Sequence, residues 1–319
     1  MRFRYLNMMI RPGLRPYFYM LSGCIWFSWM GLLTHTLAGT IDWQIVAIAR
    51  SGLATIFAII IARTQNVPIV FPGPRMLWIR SIAGSFSMLS TFYALTHMPV
   101  SDALTLTNTF PIWIALLSWP LLAERPTWGI WMAVLCAVLG VAVSQQPQGD
   151  GFPIAAVAAL AASFFTSIAM LGLNRLRGIA SLAIVVHFSA VSTLFCIAAY
   201  FLLDRPIGAE RLGEPAVWMR LLGVGATATI GQLFLTRAFK SGVATKVSVV
   251  GLSQVVMVML AEVILDDRQF GPMVILGTVL VLGPTAWLML RERKAKPKSE
   301  KGESKSPSSI RIPVLPRVK

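Results

Sequence analysis

Ten long apolar runs, each about the length that crosses a bilayer, follow one another along this chain with only short breaks. They fall at about 17–38, 43–62, 76–96, 100–122, 127–144, 153–173, 180–203, 216–238, 244–265 and 270–290. A hydrocarbon core about 30 Å thick takes about 20 residues of α-helix at 1.5 Å per residue. Barrel strands need about half that length and alternate apolar with polar side chains, which these runs do not. Backbone in lipid must satisfy its own hydrogen bonds, so continuous runs of this length predict helices. The expected fold class is all-α, a polytopic membrane protein of about ten transmembrane helices. Composition agrees: 13% of the 319 residues are charged and the mean hydropathy is +0.70, whereas soluble domains carry about 25% charged residues.

The net charge of +15 would suit a nucleic-acid binder, but its distribution does not. Basic residues sit in short connections and at the two ends, with no basic face and no recognition motif. No nucleic-acid partner is expected; the lipid bilayer is. Arg2, Arg4, Arg11 and Arg15 precede the run Tyr17–Ala38, which is too long for a signal-peptide core and reads as an uncleaved first helix. With the N-terminus inside, the cytoplasmic connections hold Arg63 and Arg75, Arg125, Arg175 and Arg177, then Arg237 and Lys240. The outward ones hold Asp42, Asp102, Asp150, the stretch 204–214 and Asp266–Asp267. This asymmetry predicts a multi-pass inner (plasma) membrane protein with both termini cytoplasmic. Residues 292–319, Lys/Ser/Pro-rich, read as a disordered basic cytoplasmic tail. Cys24, Cys136 and Cys196 are scattered through apolar runs and odd in number, so neither a disulfide framework nor a metal site is indicated.

The two halves of the chain are similar at an offset of about 142–144 residues. Tyr93 to Val100 finds a counterpart in Arg237 to Val243, and Leu122 to Gly129 parallels Ile264 to Gly271. Five helices per half would make the second copy enter the membrane from the opposite side, an inverted repeat. The stretches Arg80-Ser81-Ile82-Ala83-Gly84-Ser85-Phe86-Ser87, Phe92-Tyr93-Ala94-Leu95, and Thr109-Phe110-Pro111-Ile112-Trp113 leading to Glu124-Arg125 resemble the drug/metabolite transporter superfamily, specifically its EamA-type permeases. The resemblance spans about 17–291. Ala123 replaces a family glycine, Ser253-Gln254 stands where the family often has proline, and Asp266 stands for a glutamate. It implies a basic cytoplasmic N-terminus (1–16) and two five-helix repeats (17–145 and 152–291). Helices 1–4 and 6–9 would surround a cavity, with 5 and 10 peripheral and able to support a homodimer. Family members move amino acids, vitamins, nucleotides, nucleotide sugars or drugs.

Polar groups inside the bilayer are costly and therefore functional candidates. Arg50 lies about 11 Å along the second segment, at 1.5 Å per residue. It reads as an anchor for a substrate carboxylate or phosphate, or as a structural arginine bonded to carbonyls or a neighbouring acid. Glu262, the carboxylate well inside a run, suits proton coupling or an interfacial pair with Arg50 or Arg220. Arg80, Arg220 and Arg237 lie near segment ends, where snorkelling is expected. His187 suits transport or simple packing. Ser81, Ser85 and Met88 form a row aligned by the offset with Gly225, Thr229 and Gln232; close packing by small residues explains Ser81 and Gly225. Gln232, with Thr105, Asn108, Ser248 and Gln254, would line a cavity that binds weakly. Trp26 and Trp113 are deep enough to stack on a flat ligand or to pack. Pro111 and Pro120 should bend the fourth segment.

These features favour a secondary transporter of a small organic metabolite working by alternating access. No catalytic residue, cofactor or metal is expected. A membrane-embedded enzyme would want a Ser/His pair, paired aspartates or a His-Glu-x-x-His helix, and an ATP-driven pump a phosphate-binding Gly-Lys loop; neither pattern occurs. A non-transporting membrane scaffold is the remaining class.

Overall fold

The computed structural model describes residues 11–37, 40–98, 100–145, 154–202, 209–266 and 271–294, and the described residues form helices and turns with no strand. The helices are α1 (Arg15–His35), α2 (Trp43–Thr64), α3 (Arg75–His97), α4 (Val100–Thr107), α5 (Phe110–Leu122), α6 (Trp128–Gln145), α7 (Ile154–Asn174), α8 (Ser181–Leu202), α9 (Pro215–Ser241), α10 (Ala244–Gly251), α11 (Ser253–Asp266) and α12 (Pro272–Lys294). Each apolar run thus becomes helix, and two of them, the fourth and ninth, are split. By length and composition alone, four described stretches are apolar enough to span a bilayer: Trp43–Thr64, Ile154–Asn174, Ser181–Leu202 and Pro272–Arg291. Of the expected disordered tail, 292–319, the first three residues continue the last helix to Lys294, and 295–319 lie outside the described residues.

The fourth segment breaks where its chemistry demands. Pro111 follows the gap between α4 and α5 and has no N–H for the carbonyl four residues back. The chain tightens instead, Thr109 N–H donating to Leu106 O at 3.2 Å and Ile112 N–H to Thr109 O at 2.9 Å. The ninth segment breaks without a proline. The same pair of tight bonds recurs 143 residues on, Leu252 N–H to Val249 O at 3.1 Å and Val255 N–H to Leu252 O at 3.1 Å. Neighbouring hydroxyl and thiol groups serve these breaks. Thr109 Oγ1 meets Ser163 Oγ at 2.8 Å, and on α1 Cys24 and Ser28 donate to Gly251 O at 3.5 Å and Gln254 O at 3.4 Å.

Helix packing follows a mirrored scheme. α1 lies on α9 and α3 on α7; α2 lies on α8 and on α9, and α3 on α8; α6 lies on α12. The α6–α12 seam is apolar, with Ile130, Val134, Val141, Val274 and Val281 in its core. One end of the bundle is stitched by polar side chains. Asn174 Nδ2 donates to Phe239 O at 3.2 Å and Gly242 O at 2.9 Å, Arg177 donates to Asn174 Oδ1 at 2.9 Å, Arg175 to Leu121 O and Lys240 to Ile179 O. This is the basic end. At the opposite end Leu37, Ile41, Val217 and Leu221 pack together and Arg220 donates to Thr36 O at 3.1 Å.

Ala123 ends α5 in the left-handed region, φ 56° and ψ 21°, at the position where the resembling family has glycine. A Cβ there is strained by about 1 kcal/mol. Ala123→Gly is expected to stabilise the detergent-solubilised protein, raising its melting temperature by about 2 °C; a lower melting temperature would contradict the left-handed cap.

Candidate functional site

The α2 face toward the bundle interior is a row of small residues, Ala47, Ser51, Ala54, Ala58 and Ala62, all buried. Small side chains at helical spacing let backbones approach, and α2 closes on α8 until Thr55 Oγ1 and Thr193 Oγ1 are 3.4 Å apart. Beside this row, between α2, α3, α8 and α9, lies a cavity of about 20 Å³, room for about one water. Its polar wall is Arg50 and Ser51 from α2, Ser189 and Ser192 from α8, and Gln232 from α9; Ala54, Met88, Phe188 and Ala228 supply the apolar wall.

Arg50 and Gln232, expected from the sequence, therefore meet at one site, although they lie on different helices. Among the described residues neither side chain has a hydrogen-bond or ion-pair partner. Ser51 Oγ donates to Ala47 O at 2.8 Å, and Ser192 Oγ pairs with Ser85 Oγ at 2.9 Å, so these two hydroxyls are occupied. Arg50, half-buried, lines the cavity without a protein counterion among the described residues, and a guanidinium in that position can offer its fork to a carboxylate or phosphate.

The other expected residues lie away from this cavity. Asn108 donates its amide to Leu104 O at 2.7 Å and Ser248 its hydroxyl to Thr245 O at 2.8 Å, each turning back on its own chain. Thr105 is half-buried in α4, Trp26 half-buried in α1, and Gln254 half-buried at the start of α11. The side chain of Glu262 lies outside the described residues. His187 is buried, its Nδ1 2.8 Å from Ser81 Oγ, its ring edge-on to Trp78 at 4.6 Å, and its Nε2 without a hydrogen-bond partner among the described residues.

One expectation is corrected. Arg80 does not snorkel: it is 0% exposed, and its guanidinium carbon sits 3.8 Å over the ring of Phe188. Gly84, one turn on, leaves the space the guanidinium takes, since a Cβ there would come within 3.3 Å of Arg80 Nη1. In the connection after α5, burial pushes the Glu124 carboxyl above the ordinary carboxylate range, and Arg177 partly offsets the shift.

Comparison with known proteins adds to this geometry. The model of the EamA-like transporter family matches residues 14–145 and again 153–290. The chain is 29% identical over 228 residues to the pseudopaline exporter CntI of Pseudomonas aeruginosa, covering 70% of this chain and 78% of that protein. It is 24% identical over 221 residues to an S-adenosylmethionine uptake transporter of Rickettsia conorii, 68% and 72% of the two chains, and 27% identical over 208 residues to a biotin transporter of Escherichia coli, 64% and 67%. A solved crystal structure at 19% identity superposes with a TM-score of 0.73, covering 88% of this chain and 99% of that one, which is a likeness of fold.

Proposed function

The chain belongs to the EamA-like transporter family, and from that premise we propose that it is a secondary permease for a small organic metabolite bearing an anionic group. Arg50 is the observation that carries this reading. It lines the cavity beside Gln232 with no protein counterion among the described residues, and a cation inside a bilayer without a partner is costly unless a ligand supplies one. Relatives named for S-adenosylmethionine and biotin handle compounds that carry a carboxylate. A metabolite needs a pocket of roughly 300 Å³ or more, so the cavity of about 20 Å³ must widen to load.

Alternating access between two inverted five-helix repeats, residues 17–145 and 152–291, is the mechanism proposed. Three observations support it. The helix breaks at Thr109 and Leu252 carry the same tight bonds, the packing of α1 on α9 is mirrored by that of α3 on α7, and the family model matches twice. The clustered Arg175, Arg177 and Lys240 support a cytoplasmic basic end, with both termini on that side, by the positive-inside rule. Outward residues such as Leu139 and Val279 on the α6–α12 seam, each 60% exposed, meet lipid or, in a homodimer, a second copy.

The test is untargeted metabolite profiling of medium and cells with the protein overexpressed or deleted, followed by transport in proteoliposomes under imposed proton gradients. At least one carboxylate- or phosphate-bearing compound should change its distribution. At about 100 times its Kd it should stabilise the purified protein by about 2.7 kcal/mol. A scaffold would give neither result, and a substrate with no anionic group would remove the role assigned to Arg50.

A further inference from the structure

Arg80 on α3 is a buried cation that the cavity does not use. Among the described residues none of its Nε, Nη1 and Nη2 atoms has a hydrogen-bond partner, and its exposure is 0%. It lies five residues from the start of α3, about 7.5 Å at 1.5 Å per residue, close enough to that end to snorkel. It turns inward instead and lies flat on Phe188, 3.8 Å from the ring centroid. Two glycines shape the slot. A Cβ on Gly172 of α7 would fall 3.2 Å from Arg80 Cβ, and one on Gly84 would fall 2.7 Å from Phe188 Cε2.

Phe188 has two roles in this arrangement. Its ring contacts Arg80, and it also lines the cavity that holds Arg50. One aromatic side chain thus stands between two cations that, among the described residues, have no anion between them. An aromatic face compensates a guanidinium only in part for lost water and hydrogen bonds. A group held this way is poised to take hydrogen-bond acceptors when the ring moves.

We propose that Arg80 is a second station for the substrate's anionic group, sealed from the Arg50 cavity by Phe188 and uncovered when α8 shifts against α3. The inference rests on the permease reading. Arg50 captures the anion in one phase of the cycle, and Arg80 receives it nearer the basic end. Two cations in series, separated by a movable ring, draw the anion through without either site holding it too tightly to release.

Thiol accessibility tests this without a known substrate. In a chain with Cys24, Cys136 and Cys196 changed to Ser, Ser81→Cys reports the Arg80 side of the ring and Ser192→Cys the cavity. The probes are the anionic methanethiosulfonate ethylsulfonate and its cationic trimethylammonium analogue, applied to protein in lipid nanodiscs. Ser81→Cys should react more slowly than Ser192→Cys, and Phe188→Ala should speed it by about tenfold. At Ser81→Cys the anionic reagent should be preferred by about tenfold, a preference of the size local charge produces. Arg80→Gln should abolish that preference and Arg80→Lys retain it, with monodispersity on size exclusion checking the fold of each variant. Reaction at Ser192→Cys with none at Ser81→Cys, even alongside Phe188→Ala, would make Arg80 a packing residue and overturn the station alone. A preference that survives Arg80→Gln would overturn it too. No reaction at either position would overturn the permease cavity and the station with it.

Discussion

Arg50→Ala is expected to lower transport by at least about a hundredfold while insertion and folding persist. Truncating one member of a buried, hydrogen-bonded charge pair typically costs about 2–5 kcal/mol, and about 2.7 kcal/mol is already a factor of a hundred. In this protein the pair would be with substrate, because the guanidinium has no partner among the described residues at the cavity it lines. The same fact separates the anchor from a structural arginine. Removing a structural arginine would strand the groups it bonds and lower the melting temperature. Removing an unpartnered cation relieves a desolvated charge, so the ligand-free Arg50→Ala protein should melt no lower than the parent. Arg50→Lys keeps the charge and loses the fork, and should retain part of the rate. The measurement is initial uptake into proteoliposomes, normalised to inserted protein, beside thermal melting without ligand. Wild-type rates from a well-inserted Arg50→Ala protein would rule the anchor out.

Much of the fold was legible because lipid leaves few alternatives. The second apolar run, at about 43–62, becomes Trp43–Thr64, and the third, at about 76–96, becomes Arg75–His97. Proline announced the break before α5. The break at Leu252 had no such mark, because it is set by tight backbone bonds and by donors on α1, Cys24 and Ser28, more than 220 residues away in sequence. The site was less legible. A Ser or Asn inside a bilayer always has a carbonyl of its own helix within reach. Nothing local to Asn108 or Ser248 says that each turns back to that carbonyl while Gln232 does not. Arg80 was misread for a related reason. Its distance from the helix end permits snorkelling, and only Gly84, Gly172 and Phe188, from three helices, make the inward slot that it occupies.

Gly225→Ala, the smallest possible change at the α2–α9 seam, should be severe. A Cβ at Gly225 would lie 2.4 Å from Leu53 Cβ, 3.2 Å from Leu53 Cδ1 and 3.3 Å from Phe57 Cε2. Leu53 Cβ is fixed to the α2 backbone, so no rotamer change relieves the first contact and one helix must retreat by about 1 Å to restore van der Waals distance. Overpacking of this kind costs about 1–3 kcal/mol. The effect on transport should exceed the effect on stability. α2 carries Arg50 and α9 carries Gln232, and both line one cavity. A displacement of about 1 Å between groups that must grip one substrate can lower a rate by about a hundredfold. Gly31 on α1 is the control, since a Cβ there meets nothing within 4 Å. Gly31→Ala should be neutral, or stabilising by up to about 1 kcal/mol through helix propensity. Melting curves and proteoliposome rates for the two variants together decide the matter. If Gly225→Ala proves as harmless as Gly31→Ala, the two helices are not held at the distance that brings Arg50 and Gln232 to the same cavity.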